Sequence, residues 1–162
     1  MLVGCSSLAK EPFFETEYKE ENGDFCPLVK VLIGEKKTPI TAYADSGCTS
    51  GIFVFKDQVK DVDLGFKISD ADNPSVCLVA DGHKVGADEY ISTIYLNGEH
   101  KEVNITVVDV DRKMGSASLG EMTPLLGRNF MDNYDVLFKG KEKRLAFFHP
   151  KEKESKQESR DK

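Results

Sequence analysis

The stretch that decides the fold is Thr-Ala-Tyr-Ala-Asp-Ser-Gly-Cys-Thr-Ser at residues 41–50. It places the end of a β-rich apolar run directly before the triplet Asp45-Ser46-Gly47. The glycine lets the backbone turn tightly, and the serine hydroxyl can hold the loop rigid through a hydrogen bond. A carboxylate held in such a loop is suited to activating a nucleophile. Taken alone, the triplet also fits an Asx-type turn that closes a strand.

A second segment strengthens the catalytic interpretation of this loop. Leu125-Leu126-Gly127 follows much later in the chain and continues as Arg128-Asn129. The pattern predicts one helical turn over residues 128–133, directly after two apolar residues and a glycine.

Together the two segments resemble the retropepsin-like aspartic proteases, the family of retroviral, retrotransposon and related bacterial single-lobe proteases. The resemblance implies that Asp45 is the catalytic aspartate and that an apolar-apolar-Gly segment passes behind its loop. The residues that it assigns to the support of the loop are Ser46, Gly47, Leu125, Leu126, Gly127 and Arg128.

The resemblance also implies a flap, a hairpin that covers the substrate and lies between the two segments. The runs 76–80 and 85–90 flank Asp-Gly, which is a hairpin signal. The residues predicted to form the flap and to bind substrate are Ala80, Asp81, Gly82 and His83.

Three positions depart from the family pattern. Ser46 stands where threonine is commonest, and Cys48 stands where alanine is common. Retroviral members carry an aspartate two positions beyond the triplet that pairs with the arginine after the apolar-Gly segment. That position is Thr49 here, so Arg128 needs another partner or faces solvent.

The chain contains one Asp-Ser/Thr-Gly triplet, which excludes a two-lobed, pepsin-like monomer. The resemblance therefore implies an aspartic endopeptidase that acts as a homodimer on peptide or protein substrates, without a cofactor or a metal. Two alternatives stay open: a catalytically silent peptide-binding or assembly module, and an unrelated small β domain. The apolar strand 144–148 either contributes to the dimer contact or only completes its own barrel.

The rest of the chain is typical of an all-β protein. Short β-rich runs alternate with turn signals, of which Asn97-Gly98 is the strongest, and residues 55–64 suit one short helix that ends at Gly65. The pattern and the resemblance predict a small closed β-barrel of retropepsin-like type with one or two short helices.

We expect a polar leader over residues 1–24, the protease domain over residues 25–149 and a disordered charged tail over residues 150–162. Phe13 and Phe14 are candidates for docking onto the domain.

Composition excludes several classes of protein. The formal charge of −6 argues against a nucleic-acid binder, which usually carries a basic patch. The four cysteines form no Cys-x-x-Cys pair and the three histidines no His-Glu-x-x-His motif, so neither a zinc ribbon nor a helical metalloprotease site is expected. No apolar run approaches the roughly 20 residues that cross a bilayer.

The N-terminus carries one further resemblance. Residues 1–7, Met-Leu-Val-Gly-Cys-Ser-Ser, resemble the lipobox of bacterial lipoproteins, in which the cysteine is lipidated. The basic region and long apolar stretch that precede such a cysteine are missing. We therefore expect a cytoplasmic protein if the chain begins at Met1, and a membrane-anchored lipoprotein with lipidated Cys5 if the true start lies upstream.

Overall fold

The structure is a computed structural model that describes residues 10–21, 23–69, 75–78, 84–109 and 123–150, with the backbone alone for residues 76–78. The strands are β1 (Phe14–Glu17), β2 (Lys19–Glu21), β3 (Asp24–Cys26), β4 (Leu28–Ile33), β5 (Thr38–Ala44), β6 (Ile52–Phe55), β7 (Phe66–Lys67), β8 (Ser75–Leu78), β9 (Lys84–Leu96), β10 (Glu99–Val108), β11 (Leu125–Leu126), β12 (Asp135–Lys139) and β13 (Arg144–Phe148). A 3-10 helix spans Lys56–Val59, and helix α1 spans Arg128–Met131. The all-β fold class with two short helices, as predicted from the sequence, is confirmed.

Six strands close into a ring. The order β10-β6-β11-β5-β4-β9 is hydrogen-bonded from neighbour to neighbour, and β9 pairs with β10 along the whole length of β10. The ring encloses side chains that are almost fully buried, among them Val29, Ile52, Ile94 and Ile105. This closed sheet is the barrel-like arrangement that the sequence predicted, and its apolar interior supplies the main hydrophobic stabilisation.

Local turn chemistry sets the hairpins of this ring. The register pairs Leu96 with Glu99, so that Asn97 and Gly98 form a two-residue turn. Both turn residues have positive φ, 48° and 91°, as a type I′ turn requires. The β8–β9 hairpin pairs Leu78 with Lys84, and the predicted flap residues between these strands lie outside the described residues.

A second sheet pairs a strand from the first part of the described chain with two strands from its last part. Its order is β1-β13-β12, and all three strands are antiparallel. Phe13 and Phe14 pack against the buried core, which agrees with their expected docking. Strands β1 and β2 lie inside the segment interpreted as a polar leader, so backbone pairing begins well before residue 25. The half-buried aromatic rings explain this difference, because they give an otherwise charged segment an apolar contact.

The predicted helix over residues 55–64 is shorter in the structure. The 3-10 helix ends at Val59, and the chain then turns towards Leu64 and Gly65. Val59 and Leu64 are both buried, so these apolar positions serve the core without a continuous helix. No helix in the described parts of the chain has the length and apolar character needed to cross a membrane.

A buried tyrosine in this core gives a prediction about stability. The side chain of Tyr134 is 7% exposed, and its hydroxyl has no hydrogen-bond partner within the described structure. Burial, and secondly the charge of Glu99, raise the pKa of this phenol above its ordinary value near 10. When the pH exceeds the pKa that this phenol has in the unfolded chain, the unfolded state releases the phenol proton first. The free energy of unfolding therefore falls as the pH rises.

We expect Tyr134→Phe to leave the free energy of unfolding at pH 7 unchanged or to raise it by up to about 1 kcal/mol. Above pH 10 the variant should lose less stability than the wild type, because it lacks this phenol. Urea unfolding at pH 8 and pH 11 measures both effects, with Tyr95→Phe, a half-buried ring, as the control. If Tyr134→Phe loses as much stability between pH 8 and pH 11 as the wild type, the alkaline loss of stability does not come from the phenol of Tyr134.

Candidate active site

The loop with the Asp-Ser-Gly triplet begins where strand β5 leaves the ring. The backbone N–H of Asp45 donates to the carbonyl of Leu126 at 2.9 Å, and the N–H of Cys48 donates to the carbonyl of Asp45 at 3.2 Å. The N–H of Gly47 donates to Oδ1 of Asp45 at 2.8 Å. This last bond is the Asx turn that the triplet alone predicted, and it fixes the orientation of a half-buried carboxylate.

The segment Leu125-Leu126-Gly127 supports this loop from behind. Strand β11 lies between β5 and β6 and runs parallel to the first and antiparallel to the second. The N–H of Gly127 donates to the carbonyl of Gly51 at 3.0 Å, and the N–H of Arg128 donates to the carbonyl of Cys48 at 2.8 Å. Together with the bond from Asp45 to Leu126, these bonds tie residues on both sides of the triplet to this segment.

The side chains that follow Gly127 have different environments. The side chain of Arg128 is exposed, and no ion pair of this residue occurs among the described residues. The side-chain oxygen of Asn129 accepts the backbone N–H of Asn104 at 3.0 Å. Asn129 therefore links helix α1 to strand β10, whereas Arg128 contributes its backbone to the loop and turns its guanidinium towards solvent.

A polar network behind the loop escaped the sequence analysis. The hydroxyls of Ser50 and Thr106 are 2.6 Å apart, and the Thr106 hydroxyl donates to the carboxylate of Glu89 at 2.8 Å. Because the Thr106 proton is used in that bond, the Ser50 hydroxyl donates to Thr106. Asn104 donates its side-chain N–H to Glu89 at 3.4 Å and accepts the N–H of Gly51 at 3.1 Å. The network ties the end of the Asp45 loop to β9 and β10.

This network predicts a measurable loss of stability on truncation. Thr106 is 3% exposed, so Thr106→Val leaves the hydroxyl of Ser50 without its buried partner and removes a donor from Glu89. We expect the free energy of unfolding to fall by about 1–3 kcal/mol. Thr41→Val, on the exposed face of β5, is the matched control and should change it by less than about 0.5 kcal/mol. Equal urea midpoints for the two variants would contradict a structural role of the network.

The carboxylate of Asp45 faces a cleft of about 290 Å³. Burial raises the pKa of Tyr43 in its wall, and the charges of Cys26 and Asp45 raise it further. The exposed fractions of Phe25 and Phe138, 48% and 40%, are large for phenylalanine. The complete lining is Tyr18, Phe25, Pro27, Tyr43, Ala44, Asp45, Ser46 and Phe138. Sequence reasoning missed the aromatic members of this set, because their contributions depend on pairings between distant strands.

The remaining predicted site residues are divided between the described and undescribed parts of the chain. Ser46 and Gly47 are exposed residues of the Asp45 loop. Cys48 is half-buried and packs beside the apolar cluster formed by Phe53, Phe55, Ala87 and Val108. The predicted flap residues Ala80, Asp81, Gly82 and His83 and the predicted lipidation site Cys5 lie outside the described residues. Within the described part of the chain, no group of three His, Cys, Asp or Glu side chains could hold a metal ion.

Comparisons with known proteins give likenesses of structure only. No family model matches the sequence, and no curated protein sequence matches it. The chain is similar to EIAV protease complexed with the inhibitor HBY-793, with 19% identity, a TM-score of 0.49, and coverage of 70% of this chain and 92% of that one. It is also similar to the retroviral protease-like domain of Ddi1 from Leishmania major, with 11% identity, a TM-score of 0.43, and coverage of 78% and 98%.

Proposed function

We propose that this protein is an aspartic endopeptidase that acts as a homodimer with one Asp45 from each chain. The observation that carries the proposal is the geometry of the Asp45 loop. Its carboxylate is oriented by the N–H of Gly47, and its backbone is held by Leu126. The same carboxylate lies in an open cleft with aromatic walls, where a peptide can reach it. A buried structural aspartate would not need this access.

The chemistry requires a second carboxylate. Two carboxylates about 3 Å apart cannot both ionise, so the pair shares one proton. The ionised member takes a proton from a bound water, and the protonated member donates a hydrogen bond to the scissile carbonyl. The chain has one Asp-Ser/Thr-Gly triplet, so a two-fold axis next to Asp45 supplies the second carboxylate. Ser46 is exposed at the same place, where its hydroxyl can bond across the junction.

The surface beside the cleft suits a second copy of the chain. Strand β13 has both hydrogen-bonding edges occupied, by β1 and β12, so its backbone offers no edge to a second chain. Strand β12 is an edge of this sheet and carries the exposed side chains Leu137 and Phe138, of which Phe138 also lines the cleft. An exposed apolar edge strand pairs readily with another chain. We assign the dimer contact to β12 and the aromatic rim of the cleft.

Dilution and mixing test the two-chain mechanism. Specific activity should fall when the protein is diluted below the dimer dissociation constant, and sedimentation should show monomer in that range. A threefold excess of Asp45→Asn chains should leave about a quarter of the wild-type activity, because mixed dimers hold one carboxylate and one amide. A monodisperse monomer that cleaves peptides equally well at all dilutions would overturn the mechanism.

A surface substitution locates the contact independently of catalysis. We expect Phe138→Asp to raise the dimer dissociation constant at least tenfold in sedimentation experiments, because it places a charge in an apolar contact. Phe66→Asp is the matched control, since Phe66 is 73% exposed and lies on β7, outside the lining of the cleft. If Phe138→Asp dimerises as tightly as Phe66→Asp, the dimer contact lies elsewhere.

A further inference from the structure

A second cleft, of about 650 Å³, lies at the opposite end of the β4–β5 hairpin from Asp45. Strand β5 runs from Thr38 at the turn to Ala44 beside Asp45, which separates the two ends by about 20 Å. Lys37 in the turn lines the second cleft, and none of its lining residues lines the cleft of Asp45. The chemistry proposed for Asp45 therefore does not account for this second cleft.

The floor of this second cleft is built across three strands. Leu32 on β4 lies opposite Tyr95 on β9, and Tyr95 lies opposite His100 on β10. Directly opposed residues project from the same face of a sheet, so the three side chains form one row. Lys30 lies two positions before Leu32 and projects from the same face. The neighbours Val31 and Ile94 are fully buried in the ring, which places the row on its outer surface.

The charged groups of the cleft are the two ammonium groups of Lys30 and Lys37. The lining includes neither aspartate nor glutamate. The full chain carries a net charge of −6, so this local excess of positive side chains runs against the overall balance. Glu99, the residue before His100, does not line the cleft, and its carboxylate oxygen Oε1 lies 3.8 Å from Nε2 of His149. A cleft with two ammonium groups and no lining carboxylate attracts an anion.

The remaining wall of the cleft is aromatic and apolar. The ammonium of Lys37 lies 4.9 Å from the ring centroid of Tyr95, and the ring of His100 lies 5.7 Å from it at an interplanar angle of 32°. Phe14 and Leu96 add further apolar lining. Asn97 donates its side-chain N–H to the backbone carbonyl of Phe13, which fastens the N-terminal segment to the turn at the edge of the cleft. The volume is in the range of small-molecule sites.

We propose that this cleft binds a small organic anion composed of a planar ring and a phosphate or carboxylate group. The anionic group lies between Lys30 and Lys37, where both ammonium groups can reach it. The ring packs against Tyr95, Leu32 and Phe14. Cations alone would accept any inorganic anion, and apolar side chains alone would accept any neutral ring, so the combination selects molecules that carry both parts.

Titration of the full chain with phenyl phosphate at low salt, followed by NMR, tests this site. We expect the amide signals of Lys37, Asn97 and Gly98 to shift together and to saturate. Inorganic phosphate and benzyl alcohol, titrated separately, should each bind at least about fivefold more weakly. Signals that do not saturate, or inorganic phosphate that binds as tightly as phenyl phosphate, would overturn the proposal.

Paired lysine variants locate the anionic group. Lys37→Gln and Lys30→Gln should each weaken phenyl phosphate binding about two- to fivefold. Lys36→Gln changes an exposed neighbour in the same turn that does not line the cleft, and it should bind like the wild type. Equal affinities for the Lys36 and Lys37 variants would also overturn the proposal. Asp45→Asn should bind phenyl phosphate normally, so this result is independent of the proposed protease activity.

Discussion

Asp45→Asn is expected to abolish peptide cleavage, with a loss of activity of at least about a thousandfold. The amide has nearly the shape of the carboxylate, but it cannot take a proton from the attacking water. Digestion of a denatured protein mixture, followed by sequencing of the new chain ends, measures the change and reports the cleavage preference of the wild type. Asp61→Asn, which changes an exposed aspartate in the turn after the 3-10 helix, is the control and should cleave normally.

The fold of Asp45→Asn should stay intact. The side-chain carbonyl of asparagine can still accept the N–H of Gly47, which is the one side-chain hydrogen bond of Asp45 among the described residues. The free energy of unfolding should therefore change by less than about 0.5 kcal/mol. Unchanged cleavage by a purified, folded Asp45→Asn protein would show that Asp45 does not carry the reaction and would overturn the aspartic-protease mechanism. A wild-type protein that cleaves nothing would leave the silent binding module.

Gly127→Ala is expected to destabilise the fold by more than about 3 kcal/mol, which is large among single substitutions. A Cβ atom at this position would lie 2.3 Å from the carbonyl oxygen of Ser50 and 2.6 Å from that of Cys48. Both atoms are backbone, so relief of the clash requires the loop to move away from β11. That movement would break the bonds from Gly127 to Gly51 and from Arg128 to Cys48.

Gly86→Ala is the matched control for this substitution. Gly86 lies in strand β9, and a Cβ atom there would meet nothing within 4 Å. The control should leave stability unchanged or raise it slightly, because alanine reduces the conformational freedom of the unfolded chain. Urea unfolding compares the two variants directly. Similar midpoints for Gly127→Ala and Gly86→Ala would show that the loop and β11 are not as closely apposed as the structure has them.

The sequence by itself determined the features that local chemistry encodes. The Asn97-Gly98 turn specifies its hairpin, because these two residues tolerate the positive φ that a type I′ turn needs. The Asp45 triplet forms its Asx turn through a bond between residues two apart. The helical turn predicted after Leu125-Leu126-Gly127 is helix α1. The helix over residues 55–64 was predicted too long because the spacing of apolar residues describes burial, and Val59 and Leu64 are buried without a continuous helix.

The tertiary structure alone decided which distant segments meet. Strand β1 pairs with β13 across nearly the whole chain, and this pairing brings the N-terminal segment into the structured part. Tyr18, Phe25 and Phe138 line the cleft of Asp45 for the same reason, and Thr106 reaches Ser50 from a strand that follows it by more than fifty residues. Such contacts leave no local signature, because their energy comes from burial and hydrogen bonding between segments whose loops must first be closed. A sequence pattern indicates which residues are buried, but only the tertiary structure determines which residues they pack against.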